Sequence, residues 1–393
     1  MKLRQAPDDF QVEELTDVRP GERGPFACYL LSKTGWTTPD ALFAVRRRWQ
    51  LDARRVSYGG LKDRHARTVQ HFTALHGPRR NLTHQGVSVR YLGQLDAPFT
   101  SADIRANRFR IVVRDLTADA RANAEAALAE VGRTGLPNYF DDQRFGSVTT
   151  GREFVARHLV AGRFEEALKL ALTAPYEFDR ATERQDKATL RASWGDWPAC
   201  KAKLSRSHAR SLVDYLVSHP TDFRGAIARL RPELGGLYLS AYQSDLWNRV
   251  LAHWLRGHVP PDDLRPVALR LGEVPVPVRL PEGVRAELET LRLPLPSARL
   301  EMDPAATWAR PLEAVLAEEG LTLPELRIRG LRQPFFSKGD RAAWCRPAGL
   351  SAEPGADENR PGRFKLTLGF ELPRGCYATM LVKRITTLTP PRS

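Results

Sequence analysis

Phe364-Lys365-Leu366-Thr367-Leu368-Gly369-Phe370-Glu371-Leu372 alternates apolar and polar positions without interruption. Its Phe and Leu residues fall on one face and Lys365, Thr367, Gly369 and Glu371 on the other, the period-2 signature of a half-buried strand. Pro373-Arg374-Gly375 marks a turn, and Tyr377–Arg384 reads as a second strand completing a hairpin. The same signature stands far upstream in Asn107–Arg114. There Phe109, Ile111 and Val113 share one face, and Arg108, Arg110, Val112 and Arg114 the other. Three arginines on one face of a sheet suit a phosphate-tracking surface as well as an ordinary solvated one. Phe10–Leu15 and Phe26–Leu31 are further strand candidates. Thr38–Trp49 reads as a helix with a Thr cap and Pro at its first position.

Between these strand-like ends the spacing turns helical. Residues 117–133, 152–172, 204–216 and 223–231 read as helices, and Gly135-Leu136-Pro137-Asn138 breaks the first of them. Ser240–Leu255 is the clearest. Ser240 and Gln243 match a capping box, and Leu239, Tyr242, Leu246 and Val250 run beside Trp247, Leu251 and Trp254 as two apolar stripes. Residues 256–300 are Pro-rich and read as loops and short strands. Residues 337–362, rich in Gly, Pro and charge, read as a long mobile loop. Sheet at both ends with helix between predicts an α+β fold in which one domain is interrupted by an inserted, mainly helical one.

The charge narrows the partners. The 393 residues carry a net +14, and 50 of the 60 basic residues are Arg. Base composition of a genome produces that skew as readily as selection for binding, so position is more informative than total. Residues 51–114 hold 12 basic residues and only four acids, a clustering that favours a polyanionic partner. The four cysteines (Cys28, Cys200, Cys345, Cys376) form no C-x-x-C pair, which fits a reducing, cytoplasmic setting. No stretch approaches 18 consecutive apolar residues, and the N-terminus turns acidic before any apolar run. Neither a membrane span nor a secretory signal is expected. No phosphate loop or G-x-G-x-x-G fingerprint is present, which argues against an ATPase or a Rossmann enzyme. The zinc deaminase signature is missing too. No His pairs with a Cys or another His at ligand spacing, so no metal is expected.

Two segments concentrate chemistry. In Gly59-Gly60-Leu61-Lys62-Asp63-Arg64-His65-Ala66-Arg67-Thr68-Val69-Gln70, a Gly pair leads to an acid flanked by cations. Glycines permit a tight backbone that presents one side chain, and adjacent cations favour an ionised carboxylate fit to be a nucleophile or base. A surface turn beside solvated basic residues fits the spacing as well. In Asn138-Tyr139-Phe140-Asp141-Asp142-Gln143-Arg144-Phe145-Gly146, aromatics, an amide and an Arg share a loop. Readers of single-stranded RNA use such sets, and so do loops whose aromatics plug a core.

Together these segments resemble the TruD family of tRNA pseudouridine synthases. Gly60-Leu61-Lys62-Asp63-Arg64-His65-Ala66 with Thr68 and Gln70 looks like that family's nucleophile motif, and Asn138-Tyr139-Phe140 with Gln143-Arg144-Phe145-Gly146 like a second. Asn107-Arg108-Phe109 followed by Ile111 and Arg114 is similar to a third. Leu239-Ser240-Ala241-Tyr242-Gln243-Ser244 with Asn248 resembles the helix of the family's insertion. Leu372–Thr379 resembles its C-terminal hairpin, and Leu3–Phe10 with Val12 and Glu14 its N-terminal motif. The matches are collinear, although Arg4 stands where the family often has Lys, and Ala106 where a Gly is common.

The resemblance implies a pseudouridine synthase fold with a mixed, mainly antiparallel sheet. Residues 1–150 and 329–393 would form the catalytic domain and 151–328 the insertion. It implies isomerisation of uridine to pseudouridine, at position 13 of the tRNA D arm, without cofactor or metal. Asp63 would be the catalytic carboxylate, Arg4 the cation beside it, Phe140 the ring that stacks on the uracil, and Asn138 a nearby hydrogen-bonding group. Lys62, Arg64, His65, Gln70, Arg108 and Arg144 would bind RNA. The substrate partner would be tRNA, with other RNAs left open, and the protein would be a cytoplasmic monomer. Two other classes stand beside this one. The first is a non-catalytic RNA-binding protein; the second is a nuclease or glycosylase, for which His65 near Asp63 is the one candidate second group.

Overall fold

The structure is a computed structural model, and it describes residues 5–149, 151–176, 179–331 and 333–387. The chain divides into two compact units, Met1–Asn138 with Trp344–Ser393, and Tyr139–Ala343. The divisions fall at Asn138/Tyr139 and Ala343/Trp344, outside the positions 150 and 329 expected from the sequence.

The first unit opens with β1 (Phe10–Leu15), β2 (Phe26–Thr34), α1 (Thr38–Trp49), β3 (Val56–Tyr58), β4 (Arg67–Leu75), β5 (Leu82–His84), β6 (Val87–Leu95), β7 (Ala106–Leu116), α2 (Ala118–Thr134) and β8 (Leu136–Pro137). The second unit holds α3 (Val155–Val160), α4 (Phe164–Thr173), α5 (Ala181–Ala192), α6 (Trp197–Lys203), α7 (His208–Ser218), α8 (Phe223–Ala228), α9 (Pro232–His258), β9 (Leu264–Leu269), β10 (Gly272–Pro277), α10 (Glu282–Thr290), β11 (Arg292–Pro294), α11 (Ala309–Glu319) and β12 (Asp340–Ala342). The chain then returns to the first unit with β13 (Trp344–Cys345), β14 (Ala348–Ala356), β15 (Phe364–Pro373) and α12 (Ala378–Thr387).

A nine-stranded sheet organises the first unit, in the order β14-β15-β7-β1-β4-β2-β6-β5, with β3 also paired to β4. The β1–β4 pair is parallel and the rest are antiparallel, so the sheet is mixed and the fold α+β. The alternating segments at the two ends of the chain meet: Phe109 pairs with Phe370 and Ile111 with Leu368, and the two Phe rings stack at 5.4 Å. Helix α1 packs Ala41, Leu42, Val45 and Trp49 into a cluster with Tyr29, Leu31 and Phe72. Thr37, not Thr38, caps α1 by accepting the Asp40 N–H at 3.2 Å, which leaves the buried Thr38 hydroxyl for other partners. Gly135 ends α2 at φ +80°, and a Cβ there would lie 2.3 Å from the Trp344 indole nitrogen.

Four sequence expectations change. Tyr377–Arg384 is not a strand: α12 forms because Ala378, Leu381, Val382 and Ile385 recur at helical spacing and bury together, with Arg384 paired to Glu130 of α2 at 2.9 Å. Ser240 does not start its helix. It lies inside α9, its hydroxyl donating to the Leu237 carbonyl, and Gly235 and Gly236 continue the helix rather than break it. Gly235 is needed there, since a Cβ would meet Pro334 at 2.9 Å. Residues 337–362 are not one loop but carry β12, β13 and β14, and β14 lines the sheet edge. Arg114 does not share the exposed face of Arg108 and Arg110. It turns inward, where Asp9, Asp357 and Glu358 hold its guanidinium.

Candidate active site

The segment from β3 to β4 is a loop held from below. Gly59 sits where a Cβ would lie 2.5 Å from Ile104 and 3.0 Å from the Thr100 carbonyl, so only glycine lets the chain pass. The Gly60 carbonyl accepts from Gln70 Nε2 at 3.0 Å. Gln70 Oε1 accepts from the Thr38 hydroxyl at 2.8 Å, and that hydroxyl oxygen accepts the Lys62 N–H at 3.0 Å. The Lys33 ammonium donates to the Trp36 carbonyl at 2.8 Å, the Asp63 carbonyl at 2.8 Å and the Lys62 carbonyl at 3.3 Å. Lys33, Thr38 and Gln70 are all buried. Asp63 stands half-buried at the end of this anchored loop, with Arg64 and His65 exposed beyond it and Arg64 Nε donating to the Gly35 carbonyl.

This arrangement reassigns two residues. Gln70, expected to contact RNA, spends its amide inside the loop. Lys62, expected at a phosphate, points inward: its side chain is 10% exposed, its ammonium donates to Asn107 Oδ1 at 2.6 Å and lies 3.2 Å from Glu14 Oε2. Glu14 is fully buried and also accepts the His71 N–H at 2.9 Å. Burial alone would raise the Glu14 carboxyl. The His71 hydrogen bonds and the Lys62 charge outweigh it and hold the carboxyl below its usual range. The result is a buried ion pair directly beneath the Asp63 loop.

The outer basic residues lie on the sheet. Register places Glu13, Arg108 and Glu371 in one cross-strand row, and Arg108 donates to Glu371 at 2.8 Å and to Glu13 at 3.2 Å. Exposed pairs of this kind are worth little, so a phosphate can replace either carboxylate at small cost. A concavity of about 680 Å³ runs over this face, lined by Gln11, Arg67, Arg108, Arg110, Ser351 and Thr367 among others. Asp8 is exposed 3.9 Å from Arg67. Arg4 lies outside the described residues. Asn138 is buried immediately after β8, which pairs with β13.

In the second unit, Phe140 is held by a double hydrogen bond. Asn248 of α9 accepts its N–H and donates to its carbonyl, both at 2.8 Å. The ring meets Trp247 edge-on at 5.4 Å, and the Arg341 guanidinium lies 4.0 Å from its centroid, with Arg144 at 5.4 Å. Phe140 is 7% exposed, and Arg341 covers its ring. Arg144 Nε donates to the Ser244 hydroxyl at 3.0 Å. Asn248→Leu is expected to strand two buried backbone groups and cost about 2–4 kcal/mol, read as an earlier unfolding transition by calorimetry. An unshifted transition would mean that the Asn248 bonds contribute nothing net.

Sequence reasoning missed Lys33, Thr38 and Arg341 altogether. Glu14 and Asn248 stood inside recognised motifs without a role. A lone Lys in an otherwise apolar strand, as in Phe26–Thr34, was the one available signal for Lys33. Among the described residues, no helix is long and apolar enough to cross a membrane, and no three His, Cys, Asp or Glu side chains converge to hold a metal ion.

The tRNA pseudouridine synthase D (TruD) family model matches residues 1–385. A probable tRNA pseudouridine synthase D 2 from Methanocaldococcus jannaschii is 30% identical, over 98% of this chain and 91% of its own. The tRNA pseudouridine synthase D of Aquifex aeolicus is 27% identical, over 98% of both. A crystal structure from Methanosarcina mazei, described as a tRNA pseudouridine synthase D (TruD), superposes with a TM-score of 0.70 at 25% identity, covering 99% of this chain and 94% of that one. The chain belongs to the TruD family of pseudouridine synthases, isomerases that need no cofactor.

Proposed function

We propose that this protein isomerises uridine to pseudouridine at position 13 of the tRNA D arm, with Asp63 as the carboxylate that acts on the ribose. The observation that carries this reading is the anchored Gly59–Asp63 loop, which fixes one half-buried carboxylate by bonds from Lys33, Thr38 and Gln70. The reaction breaks the N1–C1′ bond, turns the uracil and rejoins it through C5, and the C5 proton leaves. Asp63 attacks C1′ directly or removes a proton from C2′ toward a glycal. Neither route needs an electron acceptor or a phosphate donor.

The target base first leaves its stack, at a cost of a few kcal/mol. Stacking on an aromatic ring returns roughly 1–3 kcal/mol, and the family resemblance gives that part to Phe140. Arg64, His65, Arg108 and Arg144 would follow the backbone of the RNA. The Glu14–Lys62 pair would support the loop from within rather than touch substrate.

The test of the reading is tritium release from C5-labelled uridine in tRNA, with the modified position mapped. Unchanged or cleaved RNA would reject it in favour of a binding protein or a nuclease. Affinity for tRNA is also expected to fall with salt, with a log–log slope of magnitude several, because each phosphate contact releases counterions. A flat salt response in a filter-binding titration would remove the basic face from the interface.

A further inference from the structure

Among the described residues, Lys33 is the one cation in the first unit's interior whose ammonium is satisfied by carbonyls alone. It occupies the penultimate position of β2 and is 1% exposed. An ammonium has three N–H donors, and three backbone carbonyls receive them, those of Trp36, Lys62 and Asp63. Among the described residues no carboxylate lies within ion-pair distance of it. A buried charge without a carboxylate partner is costly, and an apolar residue of similar shape would pack the same space. What the apolar residue cannot supply is a donor to the main chain of Asp63.

We propose that Lys33 is a positioning residue for the reaction: its ammonium fixes the Lys62–Asp63 peptide from inside the sheet and so aims the Asp63 carboxylate. This rests on the reading of Asp63 as the catalytic carboxylate. The ammonium also places a positive charge under that carboxylate, without touching substrate.

The protonation state of Lys33 adds a signature. The charged groups facing it are Asp63 and Lys62, both on the loop. Opposite it in register stand Thr68 of β4 and Val87 of β6, neither of which titrates. Burial pulls its pKa down to about 8; the Asp63 charge works against that fall and the Lys62 charge adds to it. Above that pH the neutral amine has two donors for three carbonyls, and one carbonyl then faces a lone pair. Turnover should therefore fall on the alkaline side as Lys33 loses its proton.

The experiment compares the full-length chain with Lys33→Met and Lys33→Cys, the latter alkylated with 2-bromoethylamine or, as an uncharged control, with bromoethane. The unaltered chain is alkylated in parallel to account for its own cysteines. Lys33→Met should lose turnover by on the order of 100-fold, the scale of a misaimed catalytic group, while its affinity for tRNA stays within about two-fold. Its melting temperature should fall by only a few degrees, because removal of a buried charge offsets much of the cost of leaving the Trp36, Lys62 and Asp63 carbonyls without a donor. The 2-bromoethylamine product should recover turnover and the alkaline limb, and the bromoethane product neither. Unchanged turnover in Lys33→Met would overturn the proposal. So would equal recovery with both reagents, since packing alone would then explain the residue. Asp63→Asn assayed alongside separates the two readings: if that variant keeps its turnover, the catalytic reading fails irrespective of Lys33.

Discussion

Asp63→Asn is expected to bind tRNA within about two-fold of the unaltered chain and to make pseudouridine at least about 1000-fold more slowly. The substitution keeps the size and planarity of the side chain and removes its charge. The loop should hold its shape, because main-chain carbonyls and amides at Gly60, Lys62 and Asp63 anchor it. An amide neither attacks C1′ nor takes a proton from C2′ at a useful rate, so the chemical step fails while capture persists. Filter binding and tritium release separate the two. Turnover within ten-fold of the unaltered chain would remove Asp63 from the chemistry, and a parallel loss of binding would make it a structural or RNA-contacting residue.

Arg114→Leu is expected to destabilise the first unit by roughly 3–5 kcal/mol, lowering its melting transition by about 10 °C. The guanidinium is 8% exposed and joins three separate parts of the chain. It meets Asp9 at the start of β1 at 2.9 Å, and Asp357 and Glu358 of the segment after β14, each at 3.1 Å. Removing it leaves the carboxylates of Asp9 and Asp357 buried without their cation. The Glu358 arm adds little, being exposed. Acid then gives a second signature. Burial would raise the Asp357 carboxyl, but the Asp115 and Asn359 N–H groups and the Arg114 guanidinium hold it below the usual range. Arg114 and Lys365 bring Glu358 down to about 2. Carboxyls depressed in the folded state stabilise it above their unfolded pKa, and that stability is lost as pH falls through the folded value. The gap between the two chains should therefore narrow between about pH 5 and about pH 2, measured by thermal melts across pH. A gap constant through that range would show that Arg114 acts by packing alone.

The strands at both ends of the chain were legible because period-2 alternation reports a half-buried face directly, and Phe109 and Phe370 do pair in one sheet. The C-terminal helix was misread for a local reason. Tyr377, Thr379 and Val382 favour a strand by propensity, and packing of Ala378, Leu381 and Ile385 beside α2 favours the helix instead. Similarly, α9 begins before Ser240, and Gly235 is accommodated inside it by its close approach to Pro334. At the proposed site, the Gly-rich approach and flanking cations made Asp63 a candidate that a surface turn fitted as well, so its place in the chain was legible. The direction of each flanking side chain was not. Lys62 and Gln70 look like surface polar residues in sequence, and their inward turn depends on Glu14, Asn107 and Thr38, which lie far away in the chain. Arg114 shares the parity of Arg108 and Arg110, yet two buried aspartates draw it inside.

The reaction proposed for this chain converts one uridine of tRNA into pseudouridine. Incubating the purified chain with an unmodified tRNA transcript and locating pseudouridine by carbodiimide labelling and primer extension tests it most directly. The expected result is a single new stop reporting position 13 of the D arm, with the RNA otherwise intact. A transcript with no pseudouridine, or one cleaved within that arm, would contradict it.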